Sequence, residues 1–416
     1  GNGVSRLRSA PLVRTQAPRP FSEGYGARFP EPRIFPLRLA LHGVVPGVAS
    51  PPVTETAEQK KTRVVIGMSG GVDSSSAATL LIEQGYDVVG ITLKTWPQDC
   101  VSRAEDKCCG PQAVTDARSV CHNLGIPYYL IDEADVFQKQ VIDYFAAEYR
   151  AGRTPNPCVI CNEKVKFGTL IDRAKQLGAE KIATGHYARV EKDEATGRTL
   201  LRQGRDLRKD QTYFLFSLRQ DQLERSLFPL GEMSKTDTRD VAREASLKTA
   251  DKEESMEICF VPDDDYRGFL QKADLVRKHR GEIVDTRGKV LGHHDGIEFY
   301  TIGQRRGLGV SSTEPIYVIE LDAGNNRVVV GSGELLERQE FKVERCNWIP
   351  FEQLDGPMEV SARIRYNHRG TAATITPGEG WTATVELHEP QRAITPGQAC
   401  VFYQDDLVVG GGWIAR

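Results

Sequence analysis

The sequence holds no apolar run near the ~20 residues that a membrane-spanning helix needs, which excludes an α-helical integral membrane protein. It has no overall basic excess: 54 Lys and Arg stand against 57 Asp and Glu, for a net charge of −3. Affinity for nucleic acid through bulk charge is thereby excluded, although a local basic face would still suffice for an RNA partner. There is one Cys-x-x-Cys and no second, which argues against a four-ligand zinc ribbon. No lysine follows the glycines of the Gly-rich turn at Gly67–Gly71, so a kinase or GTPase with a Walker A loop is disfavoured. No secretory signal is evident. Of the nine cysteines, five fall between Cys100 and Cys158, and Cys161 follows at once. That clustering reads as catalytic or metal-binding thiols more than as a disulfide framework.

The first 50 residues lack lysine altogether. They carry seven Arg, seven Pro and only two acidic residues. Such an Arg-rich, acid-poor stretch resembles a transit peptide, so residues 1–60 are expected to be a disordered leader and the protein to work in a mitochondrion or chloroplast.

From Arg63 onward the pattern is α/β. Strands are expected at Val64–Met68, Asp87–Leu93, Tyr128–Ile131 and Lys181–Thr184. Helices are expected at Ser74–Gln84, Pro111–Leu124, Asp135–Tyr149 and Val165–Leu177, the first, second and fourth closed by Gly85, Gly125 and Gly178. Alternating strands and helices imply a doubly wound parallel sheet, with ligands at the carboxyl ends of its strands. After about Gln220 short helices, Thr236–Ala245 and Tyr266–Ala273, mix with Gly-rich strands. From about Glu340 six short strands alternate with Pro, Gly and Asp turns, the pattern of a small antiparallel β-barrel. The expected division is therefore 61–220 for the α/β domain, 221–340 for a mixed central domain and 341–416 for the barrel.

Two stretches carry chemistry. Gly67-Met68-Ser69-Gly70-Gly71-Val72-Asp73-Ser74-Ser75 joins a buried strand to a helix. Backbone N–H groups of such a turn point at an anion, and the helix dipole supports them. An ordinary βα turn is the bland alternative, but four polar side chains crowd this one. The second stretch is Thr154-Pro155-Asn156-Pro157-Cys158-Val159-Ile160-Cys161. Its prolines are expected to prevent a helix and to hold a stiff loop. Its two thiols suit a redox pair, a metal or nucleophilic work. Cys259, in Met256-Glu257-Ile258-Cys259-Phe260-Val261, reads as a core thiol by its neighbours alone. Cys100, Cys108 and Cys109 read as structural or incidental.

Taken together these blocks resemble a known family. Gly67–Ser74 is similar to the PP-loop of the ATP pyrophosphatases, whose fold is of the adenine nucleotide α-hydrolase kind. Gly152–Phe167, Ala183–Tyr187, Lys209–Leu215, Glu257–Val261, Phe299–Gly309 and Thr395–Phe402, in that order, resemble the tRNA-specific 2-thiouridylases. The resemblance covers Arg63 to the C-terminus. It implies a transferase that adenylates the C2 oxygen of a tRNA wobble uridine with ATP and Mg²⁺ and replaces it with sulfur. It implies that Gly67, Met68, Ser69, Gly70, Gly71, Val72, Asp73, Ser74, Leu93 and Gly185 bind ATP, with Asp73 also catalytic. It implies that Asn156, Pro157 and Cys158 approach the base, and that His186, Lys209, Asp210, Gln211, Arg365, Tyr366 and Gln398 contact tRNA. Cys161 occupies the position of the nucleophile and Cys259 that of the persulfide carrier.

The chain departs from the family at Cys158, where well-known members have Asp. Cys158, Cys161 and Cys259 then make three thiols, enough for a [4Fe–4S] cluster with one open iron. Two sulfur routes are therefore implied. In one, Cys259 takes a persulfide sulfur from a cysteine desulfurase or relay protein, and a Cys161–Cys259 disulfide is left to be reduced. In the other, a cluster activates the sulfur. Arg305, Arg306, Arg363, Arg365, His368 and Arg369 are read as a basic face for the RNA backbone. The competing readings are another PP-loop synthetase or amidotransferase, an RNA-binding module without catalysis, and a metal or redox protein.

Overall fold

The computed structural model describes residues 61–95, 110–252, 258–261, 265–273, 275–276 and 278–416. The Arg-rich leader, Cys100, Cys108, Cys109 and Glu257 lie outside the described residues.

The α/β part begins with β1 (Arg63–Gly67), whose Val64, Val65 and Ile66 are fully buried, as a central parallel strand requires. It runs through α1 (Val72–Glu83), β2 (Asp87–Lys94), α2 (Pro111–Asn123) and β3 (Tyr128–Asp132). A helical stretch over residues 134–150 (α3) follows, with a π-helical turn at Gln138–Ile142. Residues 157–176 form α4, π-helical over Cys161–Thr169. Then come β4 (Lys181–Ala183), a hairpin of β5 (Ala188–Lys192) and β6 (Thr199–Gln203), and β7 (Ser226–Leu227). Five strands form one all-parallel sheet in the order β3-β2-β1-β4-β7. The chain goes one way from β1 to β2 and returns on the other side as β4. The gap between β1 and β4 is thus the switch point, where open α/β sheets bind ligands.

Helix α5 (Lys235–Glu244) packs on α1, where the Ser76 hydroxyl donates to Thr238 O at 2.7 Å. After α6 (Tyr266–Lys272), strands β8 (Gly281–Asp285), β9 (Val290–His294), β10 (Tyr317–Asp322) and β11 (Arg327–Gly331) make a mixed sheet, with β8 and β11 parallel and the outer pairs antiparallel.

The last six strands are β12 (Glu337–Trp348), β13 (Met358–Arg363), β14 (Thr371–Pro377), β15 (Thr382–Arg392), β16 (Ala399–Gln404) and β17 (Leu407–Ile414). They close into an antiparallel barrel because β12 pairs with both β15 and β17. Alternate residues, such as Val360 and Ala362, Ala373 and Ile375, and Val385 and Leu387, fill its interior. The expected α/β sheet, mixed region and barrel are all present. The hairpin β5–β6 was not expected from the sequence. It hangs on the barrel through Leu407 opposite Arg202, with Asp406 accepting from Arg202 Nη1 at 2.6 Å.

Candidate functional site

The phosphate turn builds itself from short-range bonds. Gly71 caps α1 with extended backbone, and Ser75 Oγ donates to Gly71 O at 2.8 Å. Ser69 N donates to Ser74 Oγ at 3.2 Å, and Gly71 N reaches Ser69 Oγ at 3.4 Å. Gly70 sits at φ +70°, and a Cβ there would fall 2.1 Å from Ala113 O of α2. Only glycine meets both demands. Gly185, just past β4, lies against the start of α1 so closely that a Cβ would stand 2.8 Å from Ser74 N. Gly67, Gly70, Gly71, Ser74 and Gly185 thus meet at the switch point, with Met68 and Val72 buried beneath. Leu93, next to last in β2, packs half-buried on the core.

Asp73 points out of the first turn of α1. Its Oδ1 accepts from Tyr187 Oη at 2.9 Å and from Lys235 Nζ at 2.6 Å. On the other side of the turn Lys252 Nζ donates to Gly70 O at 3.1 Å and to Asp116 Oδ2 at 2.6 Å. These two lysines were missed in the sequence because they lie 162 and 182 residues from their partners in the turn. The only local signal was their place among charged residues near the start of α5 and after it.

The thiol segment corrects the expectation of a stiff non-helical loop. Asn156 is an N-cap whose Oδ1 accepts from Val159 N, and Pro157 takes the first helical position, where its missing N–H costs nothing. Cys158 and Cys161 therefore lie one turn apart on α4, not in a loop. The π-helical turn that follows leaves carbonyls off the regular ladder. Gln222 Nε2 takes two of them, Glu163 O at 3.0 Å and Phe167 O at 2.7 Å, and Asn162 Nδ2 donates to Phe214 O at 3.0 Å. Such turns are frequent at functional sites. Burial pushes the Cys158 thiol up from its ordinary range, and the Lys166 ammonium pulls it partly back.

His186 joins the two stretches. It follows Gly185 and is buried, with its ring beside Phe167 of α4 at 5.8 Å and Phe228 at 6.3 Å. Its Nδ1 is 2.7 Å from Thr184 Oγ1. Burial first, and Lys166 second, hold its imidazole well below the usual histidine range, so the ring is neutral at physiological pH.

The barrel holds the thiol segment from outside. Gln398 Nε2 donates to Thr154 O at 3.1 Å and Pro155 O at 3.0 Å, and Thr154 N donates to Pro396 O at 2.9 Å. Tyr213 Oη donates to Ala399 O at 2.9 Å. Asp210 is buried and faces inward, where its carboxylate accepts from Gln203, Gly204, Thr212 and Arg363. Gln211 Oε1 accepts from Tyr187 N at 3.0 Å. The Tyr366 ring lies tilted against Phe214 at 4.5 Å, and the Phe214 carbonyl holds Asn162. Lys209 is half-buried, and Arg365 is exposed on the barrel, donating to Arg392 O at 3.2 Å. Arg363, read as part of the basic face, instead turns inward to Asp210 and lies 4.7 Å from the Tyr403 ring.

Cys259 is partly buried against the same apolar core as Cys161. Its neighbour Phe260 packs edge-on to Phe137 at 5.6 Å and Phe145 at 5.3 Å. No disulfide joins the described cysteines. Nor do three His, Cys, Asp or Glu side chains gather as a metal site among the described residues. Cys158, Cys161 and Cys259 are all half-buried, and they do not gather as a [4Fe–4S] cluster ligand set among the described residues. Asp73 does fit a hard divalent cation at a phosphate site, where one or two carboxylates commonly suffice beside the phosphates.

Residues 62–263 match a family model described as tRNA methyl transferase HUP domain, 267–332 one described as tRNA methyl transferase PRC-barrel domain, and 338–414 one described as aminomethyltransferase beta-barrel domain. The chain is 51% identical over 360 residues to the tRNA-specific 2-thiouridylase MnmA of Heliobacterium modesticaldum, covering 86% of this chain and 93% of that one. It is 49% identical over 353 residues to the tRNA-specific 2-thiouridylase MnmA of Clostridium acetobutylicum, covering 85% and 99%.

Proposed function

Since the chain belongs to the tRNA-specific 2-thiouridylase family, we propose that it is a tRNA sulfurtransferase that adenylates the C2 oxygen of a wobble uridine and replaces it with sulfur. The observation that carries this reading is the contiguity of the two sites. Gly185 touches Asp73 and Ser74, while His186, the next residue, packs on the helix that bears Cys158 and Cys161. An activating phosphate site and a thiol site are thus two faces of one short segment.

The turn's amides and the positive end of α1 hold the ATP phosphates. The uridine oxygen attacks the α-phosphorus and pyrophosphate leaves, which turns a poor leaving group into a good one. A divalent cation held by Asp73 would supply further charge on the phosphates. The terminal sulfur of a Cys259 persulfide then attacks C2, and AMP departs. The Cys161 thiolate attacks Cys259 Sγ and breaks the S–S bond, which releases 2-thiouridine and leaves a Cys161–Cys259 disulfide for an external thiol to reduce. Cys158, kept as S–H by burial, stays neutral beside the base. Where relatives carry an ionisable Asp, this chain would offer only a weak donor.

The α/β part, 61–220, would carry the chemistry. Regions 221–340 and 341–416, with Lys209, Arg365, Arg305, Arg306 and Arg369, would hold the tRNA. A cysteine desulfurase or relay protein would load Cys259. Residues 1–60 would direct the protein to a mitochondrion or chloroplast, and a fluorescent fusion of that segment that stayed cytosolic would refute the address.

The central test is incubation of the protein with ATP, Mg²⁺, a persulfide donor and unmodified tRNA. Expected are tRNA-dependent pyrophosphate release and 2-thiouridine in the nuclease digest. A methyl transfer would need no pyrophosphate release, and a synthetase would form no thiouridine. Either result would reject the reading.

A further inference from the structure

We propose that Lys235 and Lys252 are the cations of the phosphate site, supplied from α5 and the turn after it in place of the lysine that a Walker loop carries in its own sequence. The inference rests on the reading of Gly67–Ser75 as an ATP site. The two ammonium groups flank that turn from opposite sides. Lys235 Nζ is 2.6 Å from Asp73 Oδ1, and its side chain is only 12% exposed. Lys252 Nζ is 3.1 Å from Gly70 O and 2.6 Å from Asp116 Oδ2, with 24% exposure. A lysine withdrawn from water is costly unless it is paired. Here the pairs are carboxylates and a carbonyl that stand where a polyphosphate would compete for the same charge.

Helix α5 carries one and steadies the other. Lys235 is the first residue of α5, directly after the N-cap Ser234. Two of the amides there are taken, since Asp237 and Ser234 cap each other in a closed box, and it is the Lys235 ammonium, bonded to Asp73, that reaches the turn. Arg239, one turn further along α5, donates to Ala250 O at 2.8 Å and to Lys252 O at 3.4 Å, which fixes the backbone that carries Lys252. The helix is itself pinned to α1 through Ser76 and Thr238. The arrangement is that of charges placed on a rigid element beside the anion. Arg239 acts through Lys252 and is a positioning residue. When triphosphate binds, Lys235 shifts its bond from Asp73 to a phosphate oxygen. Asp73, relieved of that ion pair, would then be available to hold a divalent cation, which would supply further charge on the phosphates.

The test is equilibrium dialysis of the full chain with ATP and, separately, with adenosine. Lys235→Gln and Lys252→Gln should each weaken ATP binding by roughly tenfold or more, the loss of one charge-assisted bond, and leave adenosine binding unchanged. Lys235→Arg should recover part of the loss. Arg239→Ala should reproduce the Lys252→Gln phenotype and leave the effect of Lys235→Gln additive. Unchanged ATP affinity in both glutamine variants would overturn the inference. So would an equal loss of ATP and adenosine binding, since that marks a structural role, and the arginine variant separates the two if the glutamine variants fold poorly. A wild-type protein that binds no ATP would refute the ATP reading itself.

Discussion

The phosphate turn and the thiol helix both start a helix beside the same switch point, but they are held in different ways. The turn's bonds run among Ser69, Gly71, Ser74 and Ser75, and Gly70 is fixed by its own backbone angle. The thiol helix has a local cap in Asn156, yet the segment that enters it is held by Gln398, 244 residues from Thr154, and by Pro396. The backbone of the turn is shaped mainly by near neighbours, with Lys235 and Lys252 bonding it from outside; the entry to the thiol helix is set by tertiary contact with the barrel. Damage to the barrel face should therefore reach sulfur chemistry and spare nucleotide binding, while damage inside the turn should do the reverse.

The sharpest separation comes from Cys161→Ser. A serine hydroxyl does not ionise near neutral pH and cannot open a persulfide, so 2-thiouridine formation should fall below detection, by about 10⁴-fold or more. Pyrophosphate release in the first turnover and ATP affinity should stay near wild type. Loss of both activities together in quenched-flow measurements would show that the two sites are one unit and break the comparison.

Next in size is Gly70→Ala. The alanine would need φ near +70° and would drive a Cβ to 2.1 Å from Ala113 O, a backbone atom that cannot step aside. The turn must open, and ATP affinity should drop roughly 100-fold, equivalent to about 3 kcal/mol. Alkylation of Cys161 by iodoacetamide, read by mass spectrometry, should keep its wild-type rate. Gln398→Ala is the mirror experiment. It removes two hydrogen bonds, about 1–2 kcal/mol together, and should slow sulfur transfer about tenfold with ATP affinity unchanged. A change in ATP affinity there would mean that the barrel supports the turn as well.

The same contrast explains what could be read from the sequence. The strand, glycine turn and helix at Val64–Glu83 were legible because the turn's own groups, from Gly67 to Ser75, are within ten residues of one another. The barrel was legible because its inward residues alternate and its turns carry Pro, Gly and Asp. The helical start at Pro157 was misread because proline was taken as a breaker, although at the first helical position it is compatible with Asn156 as cap. The hairpin β5–β6 escaped because Ala188–Lys192 and Thr199–Gln203 pair with each other and with β17 rather than with the sheet around them in sequence. Lys235 and Lys252 escaped for a stronger reason. No local pattern ties them to the glycine turn, and only the packing of α5 on α1, with Arg239 holding the segment after it, brings them there. Asp210 and Arg363 show the opposite error: charged residues that look like an RNA surface are spent on each other inside the fold.

His186 stands between the two sites and offers the subtlest test. Its ring is buried between Phe167 and Phe228, and burial with the nearby Lys166 holds its pKa well below 6.5. In the unfolded chain the imidazole titrates near 6.5. The folded value is the lower one, so below that pH the unfolded state binds a proton that the fold refuses. The stabilisation from a neutral His186 is complete above pH ~6.5 and declines as pH falls, at most by about 1.4 kcal/mol per pH unit. Between pH 7.5 and 5.5 this amounts to about 1.4 kcal/mol, a shift of roughly 2 °C in apparent Tm for a chain of this size. His186→Gln retains a group that can bond Thr184 but does not titrate. The wild type should lose that much more apparent Tm than the variant over this range in matched thermal scans. Parallel curves would mean that the imidazole reaches solvent and takes up its proton in the folded state, and the segment from Gly185 to Tyr187 would then be a mobile link rather than the fixed joint that keeps the activated base beside the thiol helix.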